Sequence, residues 1–410
     1  MKSFNYLIDY QCPQCGAPAV LKETDRLFTC GFCRASSYLI PEDFFRLILP
    51  SRAAGDKPIF YYPYWRFRGM QFTCTLEGVT HRFIDISHQA VESHHFPISV
   101  GLRSQTLNMQ LASAETKGRF LRPTLSIENV ISVIEKRVNG IRRDPVILQA
   151  HIGETLSLIY SPYYIEDKIY DAVLDAPTSS RLPKNFDIQS QSDENPNWPI
   201  RLIPTLCPIC GWDLQGESDT LVLSCQNCSA LWKPDKKGFK RLEFAYIAGT
   251  GDNMIYLPFW RIKAEISGIE LESYADLVKI ANLPKAPQSG WADIPFYFWA
   301  PAFKVPPRNF LNLMRSLTLS QPRQKMIKEM PAGNLYPVKL PITEAVECLK
   351  IILASFIKPP ERHLPRLNEI SINPKRYLLI YIPFQIRQNE LIQSKLHMTI
   401  NKNLLELAGN

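Results

Sequence analysis

The chain has 410 residues, 45% hydrophobic and 21% charged, a composition of folded domains that excludes a disordered or collagen-like chain and leaves room for two or three separate cores. No stretch approaches the 18 or so uninterrupted apolar residues of a membrane span. The net charge of +8 is a mild excess, but residues 1–200 carry as many acids as bases, so all of it lies in 201–410 and suits an anionic partner for the second half.

In chain order, Met1 to Tyr6 carries no apolar leader core, which favours a cytoplasmic, reducing location. Then come Cys12-Pro13-Gln14-Cys15 and, 14 residues later, Cys30-Gly31-Phe32-Cys33. In a reducing compartment, paired CxxC turns signal metal rather than disulfides. Leu27-Phe28-Thr29 reads as the strand into the second knuckle, and Gly16 supplies the backbone angle needed after the first.

Ile59 to Arg68 alternates. Tyr61, Pro63, Trp65 and Phe67 share one strand face, and Tyr62, Tyr64, Arg66 and Arg68 the other. Pro63 suggests an edge strand or a strand start. Trp65 reads as core, and Arg66 as the partner of a carboxylate or a helix end. His81, His88, His94 and His95 are a candidate second metal cluster. Ile127, Ile131, Ile134 and Val138 predict an amphipathic helix, capped by Thr124 or Ser126 and stopped at Gly140. Leu158 to Tyr164 reads as a further strand. The Ser/Asp/Asn/Pro-rich stretch from Ala176 to Pro199 reads as a linker.

The pattern then recurs. Cys207, Cys210, Cys225 and Cys228 repeat the first four cysteines at one displacement of 195 positions, as do Tyr256, Pro258, Trp260 and Arg261 against Tyr61, Pro63, Trp65 and Arg66. Leu221 to Ser224 is the matching knuckle strand. Ile342, Val346, Leu349 and Leu353 match the helix at a displacement of 215, and Leu379 to Gln385 the last strand at 221. The drift gives the second half extra residues, expected in proline-rich loops between Lys263 and Tyr381. One feature of the second half has no counterpart: Trp232 to Arg241, where Lys233, Lys236, Lys237, Lys240 and Arg241 sit with Trp232 and Phe239. Cations neutralise phosphate and aromatics stack on bases, so this run is the candidate nucleic-acid contact; the plainer reading is a solvated connection. Arg308 to Lys328 is more diffusely basic.

The two cysteine sets resemble the zinc-ribbon family in its CPxCG…CxxC form, over roughly residues 10–40 and 205–233. The resemblance implies two structural Zn²⁺ ions, held by Cys12, Cys15, Cys30 and Cys33 and by Cys207, Cys210, Cys225 and Cys228, with rubredoxin-like iron as the alternative. Four thiolates leave no open position for a catalytic water. The expected fold is α+β: a tandem duplication with ribbons at 1–45 and 205–240, β-rich domains with at least one helix at 46–178 and 241–410, and a linker at 179–204.

Catalytic signatures are missing. Gly249-Thr250-Gly251 lacks the Lys-Ser/Thr of a P-loop, there is no HExxH or GxSxG, and Cys74 and Cys348 have no histidine nearby in sequence. What repeats is cysteine, proline, aromatic residues and one arginine. The sequence therefore points to a non-enzymatic adaptor or assembly subunit with protein partners. A nucleic-acid-binding factor is the alternative, and an enzyme with a site near the first-half histidines a third.

Overall fold

The computed structural model describes residues 6–101, 106–113, 116–139, 145–178, 192–194, 198, 200–251 and 253–407. The fold is mixed and strand-rich, 42% strand and 17% helix, in several sheets. The chain divides into two compact units, one of Met1–Arg68, Asp85–Ile141 and Thr155–Thr205, the other of Gly69–Ile84, Arg142–Glu154 and Leu206–Asn410.

In the first part of the chain β1 (Leu7–Gln11) and β2 (Pro18–Lys22) pair across the first cysteine knuckle, and β3 (Leu27–Thr29) and β4 (Ser36–Ile40) across the second. There follow β5 (Phe45–Ile48), β6 (Phe60–Thr75), β7 (Gly78–Gln89), β8 (Met109–Leu111), β9 (Arg119–Leu121), α1 (Ile127–Asn139) and β10 (Leu148–Ile165). Then come β11 (Ile169–Asp171), β12 (Ala176–Pro177), β13 (Ser192–Glu194) and β14 (Arg201–Pro204). The main sheet runs β13-β9-β6-β10-β5-β8-β1-β2, with β7 on β6. Of the stretch read as a linker, β13 pairs with β9 and β14 with β4; the remainder lies largely outside the described residues.

Every residue of β6 is buried, because both faces are covered as its alternation demands. Phe60, Tyr62 and Tyr64 enter one apolar cluster, and Tyr61 and Trp65 another. Gly69 is a packing requirement: a Cβ there would meet the Ile152 carbonyl oxygen at 2.0 Å.

The second part holds β15 (Leu223–Cys225), β16 (Ala230–Asp235), β17 (Gly238–Leu242), β18 (Phe244–Ile247) and β19 (Met254–Ser267). After these come α2 (Tyr274–Ile280), β20 (Phe298–Pro301), α3 (Pro307–Ser320), β21 (Met326–Ile327), β22 (Asn334–Leu335), α4 (Ile342–Glu347) and α5 (Leu349–Phe356). β23 (Ser371–Arg387), β24 (Glu390–Gln393) and β25 (Met398–Asn401) complete the sheet. Its order is β20-β19-β23-β18-β21, with β22 on β19 and the β24–β25 hairpin on β23.

Four expectations need correction. Pro63 and Pro258 lie in interior strands, not at edges. Along one flank β19 pairs first with β22, at Ile255 and Tyr256, then with β20 from Phe259; Pro258 falls in the gap, where its missing N–H breaks no ladder bond and its carbonyl accepts from Ala302 N–H. In α1 the fully buried side chain is Val130, with Ile127 and Ile131 half-buried; the side chains of Ile134 and Val138, and Gly140 itself, lie outside the described residues. Ser126 does cap this helix, accepting from Asn129 N–H at 3.3 Å. The second-half helix is two, α4 and α5, meeting at Cys348, which is a wholly buried core residue. The interval expected to hold loops contains α2 and α3, which bury Tyr274, Leu277, Phe310 and Met314 among others, so its added length carries core and not only connection.

Candidate metal centres

Each knuckle is a tight turn that aims backbone N–H groups inward. Gly16 N–H donates to Cys12 O at 2.8 Å and Gly211 N–H to Cys207 O at 2.9 Å. Both glycines are left-handed, at φ 73° and 70°, which any other residue adopts only under strain. In each set the first and third cysteines are buried and the second and fourth more accessible.

The four sulfurs of each set lie within 4.8 Å of one another. Cys12 to Cys33 and Cys15 to Cys30 measure 3.7 Å; Cys207 to Cys228 and Cys210 to Cys225 measure 3.5 Å. A disulfide needs about 2.0 Å, which these are not. Four bonds of about 2.3 Å to a tetrahedral ion put sulfurs about 3.8 Å apart, so both sets fit one ion each. Donors favour thiolate at one sulfur of each set, whereas Cys33 is pushed up to about 12, its Ala35 N–H contact outweighed by burial and the neighbouring cysteines, and burial with the neighbouring cysteines pushes Cys228 up to about 12. Backbone N–H groups of Cys33 and Phe32 lower the Cys30 pKa to about 6, and the Asn227 amide with the Trp212 N–H does the same for Cys210. A bound ion would brace two chain segments in each set, and four protein ligands fill a tetrahedral shell.

Among the described residues these are the only groups of three or more metal-type ligands; the four histidines form none. His88 is buried with Nδ1 against Gln89 O, whereas His81 and His94 are exposed. Lys233, Lys236, Lys237, Lys240 and Arg241 are all exposed on the β16–β17 hairpin, but Trp232 is 4% exposed and unavailable for base stacking, which corrects that part of the reading.

Arg66 meets the carboxylate expected of it. Its Nε and Nη2 donate to Glu23 at 3.2 and 3.1 Å, it pairs with Asp85, and Arg68 lies 3.7 Å from Glu23. Burial opposes the Arg66 charge, but Glu23 more than offsets it and the pKa is raised. Arg261 has no such acid; it rests on the Tyr297 ring and donates to Met326 Sδ, and burial lowers its pKa. The sequence reading missed Glu23. Two arginines alternating in an otherwise apolar strand were the signal that a buried acid had to exist.

Glu344 is a second missed group. Burial raises its pKa from 4.5 to about 7, although Gly153 N–H donates to it at 2.6 Å. The acid binds its proton more tightly when folded, so its contribution is complete below pH 4.5 and is lost as pH rises through about 7. Glu344→Gln keeps the acceptor and should stabilise the fold at pH 8 by on the order of 1–3 kcal/mol, with little effect at pH 4. Chemical denaturation at the two pH values measures this; an equal effect at both would contradict it.

No protein-family model, curated protein or solved structure matches this chain. Among the described residues no helix is long and apolar enough to cross a membrane.

Proposed function

We propose that this chain is a non-enzymatic adaptor built by duplicating one module, each copy a zinc ribbon followed by a β-rich domain, with two structural Zn²⁺ ions bracing surfaces that bind protein partners. The observation that carries the reading is that what recurs between the halves is framework. The duplication is supported by matching hydrogen bonds in which Pro63/Pro258 and Trp65/Trp260 differ by 195 and Leu125/Leu340 by 215, as in the sequence, while Ala90/Ala302 differ by 212. Trp65 Nε1 donates to Leu125 O and Trp260 Nε1 to Leu340 O. Ala90 N–H donates to Pro63 O and Ala302 N–H to Pro258 O; Leu125 N–H donates to Ala90 O and Leu340 N–H to Ala302 O. Tyr61 pairs in parallel with Phe120, and Tyr256 with Leu335.

Partner binding is supported by apolar side chains left in solvent at both knuckles: Phe32 at 74% exposure in the first, Ile209 at 59% and Trp212 at 56% in the second. Reciprocal tagging in native cells should recover one protein at fixed stoichiometry, and Trp212→Ala with Ile209→Ser should reduce its recovery at least tenfold. Recovery of no stoichiometric partner, or of one indifferent to these changes, contradicts the reading.

The exposed hairpin favours a second reading, a nucleic-acid contact. None of its five cations pairs with a carboxylate among the described residues, so all are free to meet phosphate. Binding to single-stranded oligonucleotide should fall with salt at a logarithmic slope of about −2 to −3, for three or four phosphates met. Changing Lys236, Lys237 and Lys240 to Glu should weaken it at least tenfold. Salt-independent binding, or none at low ionic strength, removes this reading.

A further inference from the structure

A cleft of about 620 Å³ opens in the second unit, lined by residues that follow α2, by the C-terminal end of α3 and by the turn before β25. This is the size of a small-molecule site. Its lining includes Lys285, Arg323, Lys395 and His397, and no aspartate or glutamate. Among the described residues no carboxylate lies within ion-pair reach of any of these four.

Two of the charges are gathered on one aromatic ring. The Arg323 guanidinium carbon sits 4.2 Å from the Tyr274 ring centroid, and Lys285 Nζ donates to the Tyr274 hydroxyl at 2.7 Å and lies 5.4 Å from the same centroid. The two cations are therefore no more than about 10 Å apart, within one Debye length at moderate salt, and repel each other with no anion between them. Tyr274 is held rigidly. It is buried, and Trp291 packs on it edge-on at 5.0 Å. The ring thus fixes both donors instead of leaving them as free surface chains.

We infer that this cleft binds a phosphate group, with Arg323 and Lys285 as its principal donors and Lys395 at the rim. A planar guanidinium fork beside an ammonium matches a tetrahedral dianion better than it matches a single carboxylate. The Tyr274 and Trp291 rings give the cleft an apolar wall for whatever carries the phosphate. The site is separate in sequence from the β16–β17 hairpin and does not depend on the adaptor reading.

Calorimetric titration of the full chain at low salt, with inorganic pyrophosphate as one probe and a short oligothymidylate as the other, tests this. Pyrophosphate should bind, and Arg323→Gln and Lys285→Gln should each weaken it at least tenfold, whereas Lys236→Glu with Lys237→Glu should leave it unchanged. Both cleft residues are exposed, so these variants should melt like the parent. If the oligonucleotide also loses affinity in the cleft variants, the phosphate belongs to a nucleic-acid strand; if only pyrophosphate does, it belongs to a small molecule. No pyrophosphate binding, or binding indifferent to Arg323→Gln and Lys285→Gln, overturns the inference.

Discussion

Stripping metal from the protein with a strong chelator is expected to unfold both knuckles locally while the β19 and β23 core strands stay protected. Structural zinc in small ribbons contributes roughly 10–16 kcal/mol of apparent binding energy coupled to folding. The strands leading into the second knuckle of each set are short, β3 and β15 at three residues each, and the loops carry exposed Phe32, Ile209 and Trp212. Without an ion, the four sulfurs of each set, all within 4.8 Å of one another, lose the ligand bonds that would tie the two chain segments together. Limited proteolysis should then cut within 10–35 and 205–230. Cys12→Ser should open only the first site and Cys207→Ser only the second. Unchanged protease resistance after chelation would mean that these turns do not depend on metal.

Glu23→Ala should be the most damaging single change away from the metal sites. It removes the acid shared by Arg66 and Arg68, and both arginines are 1% exposed. Asp85 remains to Arg66, but its side chain is itself 20% exposed and cannot take over both hydrogen bonds from Glu23. Breaking a buried pair from one side costs about 3–5 kcal/mol, because the remaining charge stays in low dielectric. Glu23→Gln keeps the volume and one acceptor and should cost less. Hydrogen exchange of β6 and β10 amides in the first unit reads this directly; a loss below about 1 kcal/mol would show that water reaches Arg66 and the cluster is not closed.

The parts of the fold that rest on local chemistry were legible in the sequence. CxxC spacing with glycine after the knuckle fixed all eight sulfurs, and strict alternation placed Tyr62 and Tyr61 on opposite faces of one strand. Matching displacements in the two halves located Trp65 and Trp260, whose indole bonds coincide. What was hidden depends on partners far apart in the chain. Glu23 meets Arg66 across 43 positions, and Gly153 meets Glu344 across 191. A lone acid in sequence carries no sign of its burial. The prolines misled for a related reason: residue type says that a donor is missing, but only the strand order says whether a neighbour needed it. Trp232 looked available for stacking because its run is charged, yet on β16, in register between Leu223 and Arg241, it is buried at 4% exposure.

Each of the two three-stranded knuckle sheets gains its third strand in a different way. β14 covers the free edge of β4, arriving from 201–204, whereas β17 covers the corresponding edge of β16 by folding back directly. An open strand edge invites unwanted pairing, and the two sheets close it with different pieces of chain. The basic tip Lys236-Lys237 belongs to the second solution alone.

Native mass spectrometry of freshly isolated, unchelated protein tests the central claim most directly. Two ions per chain, with all eight knuckle cysteines free of disulfide, is the result expected from the sulfur geometry, and a mass matching zinc is what the proposed reading adds. A chain carrying fewer than two ions, or a mass short of hydrogens because Cys12 or Cys207 is oxidised to a neighbouring cysteine, would contradict it.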